Sequence, residues 1–150
     1  MSKIVIRAGV ILTRTFQKDG KDEIQFLILK GNNTYDSIGK WGFPKGHMEP
    51  IDENDPIKTA LRELEEETNI IIAREAVDSK NTFKIDHDTL IFYYIDLKKN
   101  SLLVKIPEVL SVVDPEEIVQ IKWATKQEIM RIPEKDKNSP MRQWLKRSRM

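Results

Sequence analysis

The residues of this sequence best placed by type and spacing to do chemistry lie in Arg62-Glu63-Leu64-Glu65-Glu66-Glu67-Thr68. At about 100° per residue on a helix, Glu63, Glu66 and Glu67 fall inside one arc and Glu65 lies nearly opposite. Carboxylates so placed repel, by roughly 0.2 to 0.5 kcal/mol per i,i+4 pair on an exposed helix and by more when partly buried. A hard divalent cation reverses that sign. Magnesium or manganese takes oxygen ligands and retains waters, leaving room for phosphate oxygens in the same coordination shell. Arg62 stands four residues before Glu66 and can pair with it. A Glu-rich heptamer alone is more often a solvated acidic face, so the chemistry depends on what surrounds it.

Upstream, Phe43-Pro44-Lys45-Gly46-His47-Met48-Glu49-Pro50 leads into this helix, and together the two stretches resemble the Nudix box, Gly-x5-Glu-x7-Arg-Glu-apolar-x-Glu-Glu-x-Gly-apolar. Gly46 matches the first Gly, Arg62 to Thr68 the core, and Ile70 the last apolar position. Two departures stand out. The early acidic position falls on Asp52, or on Glu53 after a shift, with two extra residues between Asp52 and Arg62, and Asn69 replaces the late Gly. Asn is the usual substitute for Gly at a left-handed helix end. The resemblance implies a Nudix-type α/β/α sandwich with a mixed central sheet. It also implies magnesium or manganese held by Glu63, Glu66 and Glu67, with the Gly46 carbonyl as a further ligand and Arg62 holding a glutamate in place. The expected reaction is metal-dependent hydrolysis of a phosphoanhydride bond in a nucleoside polyphosphate.

Gly42 to Pro50, with Arg7-Ala8-Gly9-Val10-Ile11 and Phe26-Leu27-Ile28-Leu29 before it, is similar to the asymmetric diadenosine tetraphosphate hydrolase branch, as is the Glu117-to-Trp123 spacing. That similarity implies cleavage of diadenosine tetraphosphate to ATP and AMP. Messenger-RNA cap hydrolysis, with RNA then a partner, and diphosphoinositol polyphosphate hydrolysis share the Pro-Lys-Gly signal. A non-catalytic nucleotide-binding module is expected to lose a glutamate of the box, and this chain keeps them. A base for the attacking water is better supplied by a carboxylate not spent on metal. The branch resemblance puts that base, or an extra metal ligand, at Glu117, although Asp114-Pro115-Glu116-Glu117 also makes an ordinary turn.

Lys45, beside Gly46, is expected to bind phosphate, and His47 is a weaker candidate for the same role. Tyr93 and Tyr94 point to opposite faces of one strand, so one is expected in the core and the other free to stack on a base. His87, between Asp86 and Asp88, reads as a turn. Trp41, Trp123 and Met48 read as packing residues. The tail cations Arg142, Lys146, Arg147 and Arg149 read as a solvated end.

The elements that must position these groups follow from periodicity. Alternation from Ile4 to Leu12 predicts a strand, Asp19-Gly20 a turn, and Ile24 to Leu29 its partner in a hairpin. The loop Gly31 to Ser37 follows, then a short strand at Trp41-Gly42-Phe43 entering a turn-rich Pro44-Lys45-Gly46. The glutamate helix starts at Asn54 or Asp55 as N-cap with Pro56 at the first helical position, and buries Ile57, Ala60, Leu61, Leu64 and Thr68. Strands are expected at Leu90 to Ile95, before Asp86, and at Ile118 to Trp123, with residues 98–116 a long loop. Thr125 to Glu128 is a capping box, and Asn138-Ser139-Pro140 opens a last helix carrying Met141, Trp144 and Leu145.

A length of 150 residues with 39% hydrophobic and 33% charged residues predicts one domain, 1–150, with its own core. Lys and Arg at 25 nearly cancel Asp and Glu at 24, so no overall basic footprint calls for nucleic acid or an anionic membrane. The absence of cysteine excludes disulfides, thiolate nucleophiles and cysteine-held metals. No apolar run is long enough to span a bilayer, and a cytoplasmic setting is expected.

Overall fold

The computed structural model describes residues 4–31, 39–113 and 115–148, so part of the expected loop after Gly31, Asp114 and Arg149 lie outside the described residues. Strand β1 (Arg7–Lys18) turns through Asp19 (φ 52°) and Gly20 (φ 77°) into β2 (Lys21–Gly31). Two consecutive positive-φ residues are what a two-residue hairpin needs to match strand twist. β2 carries β3 (Trp41–Gly42) and β9 (Ile118–Thr125) as antiparallel neighbours. The first residues of β1 pair antiparallel with β4 (Lys45–His47) on one edge and parallel with β7 (Leu90–Asp96) on the other, and β7 pairs with β6 (Thr82–Ile85). The result is a seven-stranded mixed sheet.

Helix α1 (Pro56–Thr68) packs Ile57, Ala60 and Leu64 on Ala8, Val10 and Leu12 of one sheet face. Helices α2 (Lys126–Arg131) and α3 (Ser139–Arg147) bring Ile129, Met141 and Trp144 onto Ile11, Phe26 and Phe92 of the other. This is the expected α/β/α sandwich. Each fully buried Leu or Ile in these layers contributes about 2 kcal/mol of transfer free energy. Asp55 caps α1 by accepting from the Ile57 N–H at 3.0 Å. Asn69 ends it at φ 62°, its N–H bonded to the Glu65 carbonyl at 2.8 Å. Thr125 and Glu128 form the expected capping box.

Three expectations need correction. The first strand begins at Arg7 rather than Ile4, and Ile4 and Ile6 are 78% and 50% exposed, because only from Ala8 onward do neighbouring strands and helices cover the chain. Lys45-Gly46-His47 is a strand, not a turn, since β1 supplies a ladder that local composition does not reveal. The stretch 98–116 contains β8 (Val104–Lys105), which pairs with β5 (Ile71–Ile72) as a separate two-stranded ribbon. The Asp86-His87-Asp88 segment is a turn, as read, with φ of 53°, 58° and 66°.

Candidate active site

Gly46 on β4 and Glu63 on α1 meet face to face: a Cβ at Gly46 would lie 2.0 Å from the Glu63 carboxyl carbon. Only a glycine lets the helix bring that carboxylate against the strand. Glu67, one turn later, is 6% exposed and accepts the Lys45 backbone N–H, while its Oε1 has no hydrogen-bond partner among the described residues. Burial first, then the nearby carboxylates Glu63 and Glu117, raises the proton affinity of Glu67 well above the ordinary carboxyl value. Burial likewise pushes Glu63 up to about 7, with Glu66 and Glu117 adding and Arg62 opposing.

Arg62 organises the near side of the helix. Its Nε and Nη2 donate to the two oxygens of Asp52, each at 2.9 Å, and Nη2 also donates to the His47 carbonyl at 3.0 Å. Nη1 donates to Glu63 at 3.1 Å and to both oxygens of Glu66 at 3.1 Å. The expected pairing with Glu66 is present, but Asp52 is the main partner. Asp52 is 2% exposed and also accepts from the Thr59 hydroxyl at 2.8 Å and the Glu49 N–H at 2.9 Å. Those bonds, Arg62 first, hold its pKa at about 2. The early acidic position therefore falls to Asp52, while Glu53 turns outward to Lys58 at 2.8 Å.

These groups border a cleft of about 380 Å³. Glu63, Glu67, Gly46 and Glu117 line its acidic part, with Glu117 exposed just before β9. Lys45 and His47 line it too, as do Arg7, Lys40 and Asn138, none of which was expected to bind substrate. Asn138 caps α3 by accepting the Met141 N–H at 3.0 Å, which fixes its amide orientation. Its Nδ2 packs on Gly42, where a Cβ would lie 2.0 Å away. A polar residue at an N-cap was the only signal available for it.

Glu66 is held at the surface by Arg62, with its side chain 56% exposed, and does not line the cleft. The tyrosine expectation is corrected by packing. Tyr93 is 4% exposed beneath α1, and Tyr94 accepts the Trp144 Nε1–H at 3.0 Å and borders a different cavity at the far end of the sheet. Neither lines the glutamate cleft, because β7 meets it only through the parallel ladder with β1.

A divalent cation fits the donor set. Among the described residues Glu67 Oε1 is a buried oxygen without a donor, and it shares the cleft with Glu63, a second carboxylate of raised proton affinity set against Gly46. Among the described residues no three acidic or histidine side chains are already gathered as a ligand cluster, so Glu66 or Glu117 would have to swing in to complete one.

The NUDIX domain family matches residues 4–147. The chain belongs to the Nudix family. A 64-residue stretch is 51% identical to the asymmetrical bis(5'-nucleosyl)-tetraphosphatase of Rattus norvegicus and 44% identical to that of Mus musculus. It covers 41% of this chain and 40% of each relative, so the match spans well under half the length of these curated relatives. Among solved structures, the NUDIX domain of Shewanella oneidensis NrtR, crystallised with ADP ribose, superposes with a TM-score of 0.66 at 14% identity, covering 97% of this chain and 86% of that one. The Ap4A hydrolase of C. elegans gives 0.51 at 22% identity, with 85% and 86% covered. These structural likenesses establish the fold. The Nudix helix is α1, and the box's first glycine is the one that admits Glu63.

Proposed function

We propose that this Nudix chain hydrolyses a phosphoanhydride bond of a dinucleoside polyphosphate, with diadenosine tetraphosphate split into ATP and AMP. The observation that carries the reading is a pair of carboxylates, the partly buried Glu63 set against Gly46 and the buried Glu67 one turn later, in a cleft that also holds Arg7, Lys40 and Lys45. An acidic centre beside cations suits a substrate whose phosphates bind both a metal and the protein. The 64-residue likeness to asymmetrical tetraphosphatases supports this substrate class.

Glu63, Glu66 and Glu67 with the Gly46 carbonyl would hold magnesium or manganese, which supplies charge neutralisation and polarisation of the bridging phosphates. The remaining work belongs to the chain. Arg62, anchored on Asp52, steadies Glu63 at the cleft and holds Glu66 beside it at the surface, from where Glu66 would swing in to reach the metal. Lys45 places a cation on the phosphate chain. Glu117, exposed and outside the Arg62 network, accepts the proton of the attacking water on a carboxylate oxygen as the new P–O bond forms and the nucleotide leaves.

Product analysis decides the reading. With magnesium present, diadenosine tetraphosphate should yield ATP and AMP faster than capped RNA, ADP-ribose or a diphosphoinositol phosphate is cleaved. Faster cleavage of capped RNA, or symmetric release of two ADP, would replace it. Glu117→Gln should lower kcat by about 100-fold and Glu116→Gln little; equal small effects would place the base elsewhere, with Glu63 next.

A further inference from the structure

The β6–β7 turn is unusual in holding three successive non-glycine residues, Asp86, His87 and Asp88, at positive φ. Such residues ordinarily avoid that region, and they persist where surrounding contacts enforce it. Here the turn grips Arg7 at two points. The Thr89 carbonyl accepts the backbone N–H groups of Ile6 and Arg7 at 2.9 and 3.1 Å. The Asp86 carboxylate accepts from Arg7 Nη2 at 2.7 Å. Thr89 in turn bonds the Asp86 carbonyl through its hydroxyl at 2.7 Å and its N–H at 3.2 Å, which locks the turn.

Arg7 is paired with His47 across the β1–β4 ladder, and Gly9 with Lys45, so period two puts Arg7, His47 and Lys45 on one face of the ribbon. Gly46, between the last two, opens to the opposite face, where Glu63 sits. Cations and carboxylates thus flank the same strand. A guanidinium carries five N–H donors, and Asp86 takes one of them, so the rest of the fork is left over the cleft it lines. The side chain of Arg7 is 24% exposed, open to a ligand but not free to wander.

We propose that Asp86 is a positioning residue: held by its left-handed turn, it aims Arg7 as a phosphate-binding fork at the polyphosphate chain of the substrate. The inference deepens the hydrolase reading and rests on its polyphosphate substrate class. Asp86 touches no phosphate itself. Its carboxylate fixes one guanidinium nitrogen, and the remaining donors meet phosphate oxygens in the planar geometry that arginine suits better than lysine.

The test is a double-mutant cycle read by calorimetric binding of inorganic tripolyphosphate with magnesium, alongside diadenosine tetraphosphate kinetics. Arg7→Gln should weaken tripolyphosphate binding about tenfold, the scale of lost charge-assisted hydrogen bonds. Asp86→Ala should weaken it about three- to fivefold and raise KM in step with little change in kcat, while Asp86→Asn, which keeps an acceptor, recovers most of the loss. In the Arg7→Gln background, Asp86→Ala should add nothing. Asp88→Asn, which removes a charge from the same turn but no acceptor for Arg7, should match wild type. An Asp86→Ala effect that persists without Arg7, tighter binding by Asp86→Ala, or no recovery in Asp86→Asn would overturn the proposal. Failure of wild type to bind tripolyphosphate would overturn it together with the polyphosphate reading; the predicted cycle without diadenosine tetraphosphate cleavage would sink only the latter.

Discussion

Asp52 anchors the acidic helix through Arg62, and Asp52→Asn measures how much stability that anchor supplies. Its carboxylate is 2% exposed and receives hydrogen bonds from Arg62 Nε and Nη2, Thr59 and Glu49. The pKa falls from an ordinary 3.8 to about 2, Arg62 being the first cause. At about 1.4 kcal/mol per tenfold change in proton affinity, that is about 2 kcal/mol of folding stability at pH 7. Because the folded value lies below the unfolded one, this stability is fully present above roughly pH 5 and disappears as pH falls through about 2. The amide replacement also leaves a largely buried Arg62 short of its counter-ion, so the expected cost at pH 7 is about 2 to 3 kcal/mol. Urea denaturation with a slope of about 1 to 3 kcal/mol/M would register this as a midpoint lower by about 0.7 to 3 M. Repeated at pH 3 and pH 2, the gap between variant and parent should narrow. Equal midpoints at pH 7, or a gap unchanged down to pH 2, would refute the account.

Glu67→Gln should act oppositely on stability and function: the metal-free protein should be as stable as wild type or more so by about 1 kcal/mol, because a buried carboxyl with an unpartnered oxygen is replaced by a neutral group, while turnover falls at least about 100-fold. Thermal denaturation in chelator and a rate assay check the two halves, and a destabilised but active variant would contradict both. Glu63 at about 7 and the raised Glu67 keep protons in the folded metal-free state that the unfolded chain has released, so stability in chelator should decline as pH rises from about 4.5 to 7. For the same reason metal affinity should strengthen with pH and binding should release protons, which calorimetry in buffers of different ionisation enthalpy detects. Asn138→Asp keeps the α3 cap but removes the amide donor from the cleft, whereas Asn138→Ala removes both; both should raise KM, and only the alanine variant should lose about 1 kcal/mol of stability.

What the sequence made legible was local. Pro56 behind Asp55, Asn69 after Thr68, Asp19-Gly20 and Thr125 with Glu128 each carry their own backbone instruction, and each appears where its chemistry requires. The glutamate face was legible for the same reason, since a helical period alone decides which side chains are neighbours. Residues whose role depends on a partner far along the chain were not. Lys45–His47 becomes a strand only because β1 lies beside it, and Ile71–Ile72 only because Val104–Lys105 does. Tyr93 and Tyr94 were separated correctly by pleat, but which face met α1 and which met α3 is a property of the sheet. Arg7 appeared only within the Arg7 to Ile11 resemblance, and its pairing was not visible because its partner is 79 residues away. Asp52 was caught by spacing to the box but its role was not, because a short 3-10 turn at Pro50–Asp52 folds it back under Arg62.

The arrangement also explains why one arginine serves several acids. Glu63, packed against Gly46, and the buried Glu67 are destabilising as bare charges with few donors, and a helix carrying them would tend to fray or turn them outward. On the polyphosphate reading proposed above, full pairing of Arg62 with both would fill the space that the substrate's phosphates need. Anchoring Arg62 on Asp52 gives it a fixed pose in which it reaches Glu63 by one nitrogen and holds Glu66 outside the cleft. The strongest ion pair of the helix is thus placed behind the cleft, and the unsatisfied oxygen in front of it. Exchanging those positions would give a more stable helix with nothing left to bind a cation, which is why the excess proton affinity of Glu63 and Glu67 is better read as a binding capacity than as a defect of packing.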